Sequence, residues 1–314
     1  MRKAFLFSGQ GSQYRGMGKW LFEHNPVFRD TIEQSDLQVR RLLNRSIIDE
    51  LYGIQRSTFD ELLITHPAIV AVEIAMYKVM QDMGITPDYC SGNSLGEFAA
   101  AVASGVWSAE TAIEASVEQA KAIVKNNRGG GMLAVIHKRT KDMELLYRKH
   151  DLVLASDNFD GQFTLAGTIQ NLDLFKSGLI DRGIQFLVLP VAFPFHSPLI
   201  NDARDDFVYY LSGISSLSSP PPIFVPGIMP EEAGELPVNY FWNVVSEYTD
   251  FPATVRYIES KGPCLYIDLG PSGTSASFVK YNLSPASSSQ TFQIMTPFKG
   301  EGQRLKILRD LLDP

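Results

Sequence analysis

The chain has 314 residues, enough for one large domain or for a large domain that carries a smaller one. Hydrophobic residues make up 45% of the sequence and charged residues 20%, which is typical of a globular protein with a sizeable core. The formal net charge of −7, with no strong basic cluster, argues against a nucleic-acid-binding protein.

The first 130 residues alternate short apolar runs with helical patterns. Strands are predicted at Lys3–Phe7 and Asp88–Ser91. Predicted helices cover Gly16–Glu33, Ser57–Leu63, Pro67–Met83 and Leu95–Ala103. Strands that alternate with helices favour an α/β fold built on a parallel sheet.

Three glycines at 129–131 interrupt this pattern and predict a hinge. Residues 131–190 then follow the order β-α-β-β-α-β, which indicates a small ferredoxin-like subdomain. We therefore predict a large catalytic domain from residues 1–130 and 191–314, with the subdomain inserted between them. In the second part of the large domain, helices are expected near 200–212 and 251–261, a strand at Leu265–Ile267, and a surface connection at Ser215–Pro222.

The two cysteines, Cys90 and Cys264, lack the spacing of a metal site, and two buried thiols in a reducing compartment are favoured over a disulfide. The N-terminal apolar run is too short for a signal peptide, and no run approaches the roughly 18 apolar residues of a membrane span. We expect a cytoplasmic protein without a membrane partner or a metal.

The segment Gly92–Gly96 (GNSLG) matches the G-x-S-x-G pattern between a predicted strand and an Ala-rich predicted helix. Flanking glycines permit a sharp turn that exposes the Ser94 hydroxyl, and the start of the helix directs the backbone N–H of Leu95 at the same point. This context indicates a nucleophilic serine. The alternative is a turn in which Ser94 only caps the helix and Glu97 completes a capping box.

A serine nucleophile needs a base within hydrogen-bonding reach. His196 lies just after a predicted strand, in a loop stiffened by Pro194 and Pro198. It is the best candidate base among the five histidines. The alternative role for a single histidine in an apolar loop is packing.

Together with Phe7–Gln13 (FSGQGSQ), the serine turn and Phe195–Ser197 (FHS) resemble the malonyl-CoA:acyl-carrier-protein transacylase family, which includes the acyltransferase domains of fatty acid and polyketide synthases. The motifs occur in the family's order, and the resemblance covers essentially the whole chain. It implies an α/β fold with a large α/β-hydrolase-like domain and a ferredoxin-like subdomain.

The resemblance also implies a double-displacement mechanism. Ser94 attacks a thioester while His196 takes its proton, and the oxyanion rests on the backbone N–H groups of Leu95 and Gln10. The acyl group then passes to a thiol or to water. No cofactor is implied, since the substrates are carried on the phosphopantetheine of an acyl carrier protein or on CoA. A backbone carbonyl orients the family's histidine; alignment places it at Asp250, which alternatively caps the helix expected near Pro252.

Three positions depart from the malonyl-type pattern. Gln119 aligns with an arginine that pairs with the malonyl carboxylate, so that carboxylate would be buried without its partner. Asn93 replaces a histidine before the nucleophile. His66 replaces a frequent glutamine, although it alternatively is a helix-start residue. Gln119, Asn93, His66 and Phe195 are the residues we assign to substrate binding.

Gln119, the stand-alone length and the segment Ser94–Ala100 (SLGEFAA) resemble the discrete acyltransferase homologues of bacterial trans-acyltransferase polyketide synthases. Members of that branch without the arginine act as acyl hydrolases. This resemblance predicts hydrolytic release of non-malonyl acyl groups from acyl carrier proteins. Alternatives are the loading of carrier proteins from malonyl- or other acyl-CoA, an inactive carrier-protein binding module, and an unrelated α/β-hydrolase. The intact Ser94, His196 and Gln10 argue against the inactive module, and an α/β-hydrolase would not need the GQGSQ loop.

Overall fold

The computed structural model describes residues 1–54, 59–126, 129–214, 223–228, 230 and 236–312. Within these ranges the strands are β1 (Arg2–Phe7), β2 (Tyr89–Gly92), β3 (Gly131–Ile136), β4 (Val153–Phe159), β5 (Gln162–Gly167), β6 (Gln185–Val188), β7 (Ile223–Phe224), β8 (Thr249–Asp250), β9 (Cys264–Asp268) and β10 (Gln290–Gln293). The helices over the same ranges are α1 (Lys19–His24), α2 (Pro26–Leu43), α3 (Ile47–Tyr52), α4 (Leu62–Asp82), α5 (Gly96–Ala103), α6 (Ala109–Asn126), α7 (Lys141–Lys149), α8 (Ile169–Asp181), α9 (Arg204–Leu211), α10 (Tyr240–Ser246), α11 (Phe251–Ser260), α12 (Thr274–Asn282) and α13 (Glu301–Leu312). A 3₁₀ helix at Pro198–Ala203 leads into α9.

The first sheet has the order β10-β9-β1-β2-β7, and all of its paired strands run parallel. Its central strand is buried on both faces. Phe5 and Phe7 belong to the main hydrophobic core, whereas Ala4 and Leu6 belong to a second cluster on the opposite side. A sheet covered on both faces explains why the strand is a continuous apolar run. The predicted α/β fold with a parallel sheet is confirmed.

The second sheet has the order β6-β3-β5-β4-β8. Its first four strands pair antiparallel, and α7 and α8 pack on one face through a separate core that includes Leu133, Val135 and Phe175. The predicted order β-α-β-β-α-β is therefore present. The edge strand β8 was not predicted; it comes from outside 131–190 and pairs parallel with β4. The domain boundaries themselves stay a prediction.

Helix α4 begins at Leu62, so the predicted start at Pro67 is wrong. The carbonyl of Glu61 accepts the N–H groups of Ile64 and Thr65, so the first turn closes before the proline is reached. By length and composition α4 could cross a membrane, but 89% of its most apolar window is buried inside the protein, as in a core helix. Residues 57 and 58, the start of another predicted helix, lie outside the described residues, as does the predicted connection at 215–222.

Cys90 on β2 and Cys264 on β9 are buried free thiols, as the sequence favoured. Both strands flank β1 in the parallel sheet. The carboxyl end of β2 leads directly into the turn that carries Ser94. The fold thus places this serine at the carboxyl edge of the sheet, where ligands of parallel α/β sheets commonly bind.

Candidate active site

Ser94 lies in the turn between β2 and α5 with a φ of 55°, in the left-handed region. A Cβ at Gly92 would lie 2.1 Å from the backbone nitrogen of Glu97, and one at Gly96 would lie 2.3 Å from the carbonyl oxygen of Phe7. Both glycines are therefore required by the close passage of the chain. A left-handed residue other than glycine costs of order 1–3 kcal/mol, and such strain concentrates at functional sites.

Ser94 does not cap the helix that follows it. The N-cap position of α5 is Leu95, and no side chain there accepts a hydrogen bond from the helix. The carboxylate of Glu97 does not complete a capping box either. It is buried, accepts the N–H of Gly227 at 2.7 Å and accepts the hydroxyl of Tyr240. The capping interpretation of this segment is therefore wrong.

His196 connects Ser94 to the backbone of a neighbouring loop. Its Nε2 lies 2.8 Å from Ser94 Oγ, and its Nδ1 lies 2.7 Å from the carbonyl oxygen of Glu247. A carbonyl only accepts, so Nδ1 carries the proton and Nε2 accepts from the Ser94 hydroxyl. Burial lowers the pKa of His196 to about 4, although the Glu247 carbonyl opposes the shift. The imidazole is therefore neutral at pH 7 and has the lone pair that a general base needs.

The main chain of His196 is also held in place. Its φ is 56°, and its N–H donates to the carbonyl oxygen of Val245 at 2.8 Å. Val245 lies in α10, and Glu247 directly follows that helix. The segment from Val245 to Glu247 thus fixes both the backbone and the ring of His196. The other ring nitrogen, Nε2, faces Ser94.

The assignment of the histidine-orienting carbonyl to Asp250 is wrong, because the carbonyl that accepts from His196 belongs to Glu247. Asp250 instead has structural contacts in the second sheet and at the start of α11. It pairs with Asp157 in the second sheet, and its side chain caps α11 by accepting the N–H of Ala253 at 2.9 Å. The same carboxylate forms an ion pair with Arg256 at 3.5 Å. The alternative prediction, an N-cap of this helix, is confirmed.

Gln10 and Leu95 both line the cavity at Ser94. The loop that carries Gln10 touches the serine turn: a Cβ at Gly9 would lie 2.4 Å from the carbonyl oxygen of Asn93 and 3.1 Å from Ser94 Cβ. Over the described ranges, no hydrogen bond uses the backbone N–H of Gln10 or Leu95. Two free donors beside a serine hydroxyl are suited to stabilising an oxyanion. Their catalytic role stays a prediction.

A cavity of about 320 Å³ lies between the two sheets at Ser94 and His196. None of its lining side chains is that of a lysine, arginine, aspartate or glutamate, so the two histidines are its titratable groups in the described part of the chain. Six of the ten residues that the second sheet and its flanks contribute to the wall are hydrophobic, and the other four are uncharged polar residues. The lining residues from that sheet and its flanks are Met132, Ala134, Ile136, Ser156, Asn158, Phe159, Gln162, Thr164, Leu187 and Leu189.

Three of the four residues that we assigned to substrate binding line this cavity: Asn93, His66 and Phe195. Gln119 does not line it. Its side chain is completely buried, and its Nε2 donates to the carbonyl oxygen of Phe241 at 3.2 Å. The amide is thus held within the protein core. The assignment of Gln119 to direct substrate contact is wrong, because its side chain does not reach the cavity.

His66 is completely buried in the wall of the cavity. Helix α4 begins four residues earlier, at Leu62, so the alternative role of His66 as a helix-start residue is wrong. It lies inside α4, and its ring centroid is 5.6 Å from that of Phe195. Burial lowers its pKa to about 3, which makes the ring neutral at pH 7. Neither ring nitrogen has a hydrogen-bond partner among the described residues.

The contribution of the second sheet to the cavity was not predicted. On β3 the alternate residues Met132, Ala134 and Ile136 face the cavity, whereas Leu133 and Val135 face the small core. This period of two was the available signal, because adjacent side chains of a strand point to opposite faces. Within the described ranges, no cluster of three or more histidine, cysteine, aspartate or glutamate side chains could hold a metal ion.

Comparisons with known proteins agree on one family. The family model of the acyl transferase domain matches residues 4–276. The polyketide biosynthesis acyltransferase homolog PksD of Bacillus subtilis is 38% identical over 315 residues, which cover 99% of this chain and 96% of that protein. The malonyl CoA-acyl carrier protein transacylase of the same organism is 28% identical over 295 residues, which cover 88% of this chain and 89% of that protein.

The fold is also found in solved structures. A loading acyltransferase from the avermectin modular polyketide synthase superposes with a TM-score of 0.89 at 22% identity, over 98% of this chain and 99% of that one. MCAT from Streptococcus pneumoniae superposes with a TM-score of 0.81 at 23% identity, over 99% of this chain and 100% of that one. These matches confirm the large α/β-hydrolase-like domain with a ferredoxin-like subdomain.

Proposed function

Because the chain belongs to the acyl transferase domain family, we propose that it removes uncharged acyl groups from acyl carrier proteins during polyketide biosynthesis, with water as the acceptor. The family consists of enzymes that transfer acyl groups. Our proposal adds the class of acyl group that enters the site and the acceptor that receives it. We place this activity in the cytoplasm, where the carrier proteins of a polyketide synthase are its partners.

In the proposed reaction, Ser94 Oγ attacks the carbonyl carbon of the thioester and transfers its proton to His196 Nε2. The resulting oxyanion accepts from the backbone N–H groups of Leu95 and Gln10. When the carbon–sulfur bond breaks, the phosphopantetheine thiolate takes the proton from Nε2 and leaves. Water then attacks the acyl-serine ester with His196 again as base, which releases the carboxylic acid and restores Ser94.

The absence of charge from the described lining of the cavity is the observation that carries the proposal. A malonyl group would bring a carboxylate into a largely apolar cavity without a cation to pair with it, which is strongly unfavourable. Gln119 stands where the malonyl-type arginine aligns, and its amide is bonded to the carbonyl of Phe241. Neutral acyl groups incur no such cost.

The choice of water rests on the resemblance to family members that lack the arginine and act as acyl hydrolases. Loading from acyl-CoA is the competing function, and it uses the same acyl-serine ester. Binding of a carrier protein without catalysis is disfavoured because Ser94 and His196 are hydrogen bonded at 2.8 Å.

The test uses the full-length protein with one carrier protein loaded in turn with acetyl, butyryl and malonyl groups, and a second, unacylated carrier protein as an alternative acceptor. Mass spectrometry of the intact proteins follows both carriers over time. We expect acetyl and butyryl to disappear at least about a hundredfold faster than malonyl, because one uncompensated interaction of about 3 kcal/mol corresponds to such a factor. Free acid should accumulate while the second carrier stays unacylated.

Ser94→Ala is the matched control, since it removes only the hydroxyl that attacks the thioester. Appearance of the acyl group on the second carrier would show a transferase instead of a hydrolase. Malonyl consumption as fast as acetyl consumption would refute the proposed substrate class.

A further inference from the structure

Three side chains of the cavity carry buried polar atoms without a partner in the described part of the chain. These atoms are Oε1 of Gln10, Oε1 of Gln162 and both ring nitrogens of His66. Burying an unpaired polar atom costs about 1–3 kcal/mol, so such atoms in a binding cavity point to a group that the ligand supplies. Most of the surrounding wall is apolar.

Gln10 and His66 are connected through Thr65, and we call these two cavity-lining side chains the polar corner. Gln10 Nε2 donates to the hydroxyl of Thr65 at 2.8 Å, which fixes the orientation of the amide and leaves Oε1 unpaired. Thr65 directly precedes His66 on α4. The backbone N–H of Gln10 is also one of the two free donors beside Ser94. The polar corner therefore lies close to the position of the thioester carbonyl.

The donors and acceptors of this corner determine which functional group of an acyl chain can bond to it. A neutral imidazole has one N–H donor and one acceptor nitrogen, whereas Gln10 Oε1 only accepts. A hydroxyl accepts from the imidazole and donates to the amide oxygen. A keto group only accepts, a methylene group does neither, and a carboxylate finds no cation among the described residues that line this cavity.

We propose that the polar corner of Gln10 and His66 selects acyl chains with a hydroxyl group on C3, the second carbon beyond the thioester carbonyl. This inference rests on the proposed function and names its substrate class more closely. A site built to bind a hydroxyl discriminates against the analogue that lacks it, because its buried polar atoms then stay unpaired. His66 is in this view a specificity-determining residue.

The experiment compares 3-hydroxybutyryl, 3-oxobutyryl and butyryl groups on the same carrier protein, with kcat/KM for loss of the acyl group as the measurement. The wild-type protein should prefer 3-hydroxybutyryl over butyryl at least about tenfold, with 3-oxobutyryl between them. His66→Phe should bring the ratio of hydroxybutyryl to butyryl close to one. His66→Gln should restore part of the preference, because an amide both donates and accepts.

His24→Phe is the matched control, since it makes the same chemical change on the exposed face of α1 and should leave the ratio unchanged. A structural defect at position 66 would lower all three rates together, whereas lost recognition changes their ratio. Equal rates for 3-hydroxybutyryl and butyryl in the wild type, or a preference that persists in His66→Phe, would overturn the inference.

The same assay includes malonyl to separate the two proposals. If butyryl and 3-hydroxybutyryl react equally and both outpace malonyl, the hydroxyl inference fails and the proposed function stands. If malonyl reacts as fast as butyryl, the proposed function fails, whatever the effect of the hydroxyl.

Discussion

The carbonyl oxygen of Glu247 lies 2.7 Å from Nδ1 of His196, on the opposite side of the ring from Ser94. This contact places the proton on Nδ1 and leaves the lone pair of Nε2 for the serine hydroxyl. In a Ser-His-Asp triad a buried carboxylate performs this orientation. Here a backbone carbonyl does so, and no acidic side chain among the described residues lines the cavity to stabilise an imidazolium.

Replacing His196 by asparagine should slow acyl-enzyme formation about 10²–10⁴-fold, which is the usual contribution of general-base assistance. Asparagine is suitable because it tolerates the left-handed backbone at this position better than most residues. Rapid-quench mass spectrometry of the acylated protein gives the rate, and the melting temperature reports on the fold. A variant that acylates at the wild-type rate would remove His196 from the mechanism.

The acylation rate should change little between about pH 5.5 and 8. The reaction needs neutral His196, and burial lowers the pKa of this imidazole to about 4 from its ordinary 6.5. Activity therefore falls as the pH approaches 4, where half of the His196 imidazole is protonated. The measurement is kcat/KM for an acyl thioester against pH, with circular dichroism at each pH to show that the protein is folded. A decline centred near 6.5 would contradict the buried environment of the ring.

Asp250→Ala should lower stability without slowing acylation. The side chain caps α11, and removal of an N-cap typically costs about 1 kcal/mol, whereas the orientation of His196 depends on the carbonyl of Glu247. Asp250→Asn should be close to the wild type in stability, because asparagine caps equally well. Denaturant unfolding and acylation rates of both variants provide the comparison. A large loss of acylation rate in the stable Asp250→Asn variant would show that Asp250 takes part in catalysis.

Sequence patterns were most informative where a side chain itself performs the chemistry. The Ser94 turn has a local pattern because strand, glycines and helix are consecutive, and His196 is distinguished by its loop. The carbonyl of Glu247 could not be identified in this way, since every residue has a carbonyl and only the path of the chain brings this one to His196. Alignment by the following helix placed the position three residues too far along.

Long-range packing explains the remaining differences. Gln119 is a polar residue of α6, yet its side chain is completely buried. Its amide donates to the carbonyl of Phe241, which lies more than a hundred residues away in the chain. Strands β7 and β8 have only two residues each, too few to show a period. The cavity exists because the second sheet packs over the serine turn, and no single segment of sequence encodes that arrangement.

Glu97, three residues after Ser94, provides a pH-dependent test of the core beneath the serine turn. Its carboxyl is completely buried, and burial raises its pKa to about 8 from the ordinary 4.5, although hydrogen bonds from Tyr240 and Gly227 oppose the shift. Between these two values the folded protein holds a proton that the unfolded chain has released. The free energy of unfolding therefore falls as the pH rises from 4.5 to 8.

Glu97→Gln should flatten this decrease. The glutamine keeps the shape of the side chain, its Oε1 accepts the N–H of Gly227, and its Nε2 donates to the Tyr240 hydroxyl, but it does not titrate. The stability of the variant relative to the wild type should therefore increase as the pH rises through this window. Urea unfolding at several pH values between about 5 and 8.5 gives the difference, and Glu23→Gln, half exposed on α1, provides the matched control. A difference between Glu97→Gln and the wild type that stays constant with pH would show that Glu97 is ionised in the folded protein throughout this range.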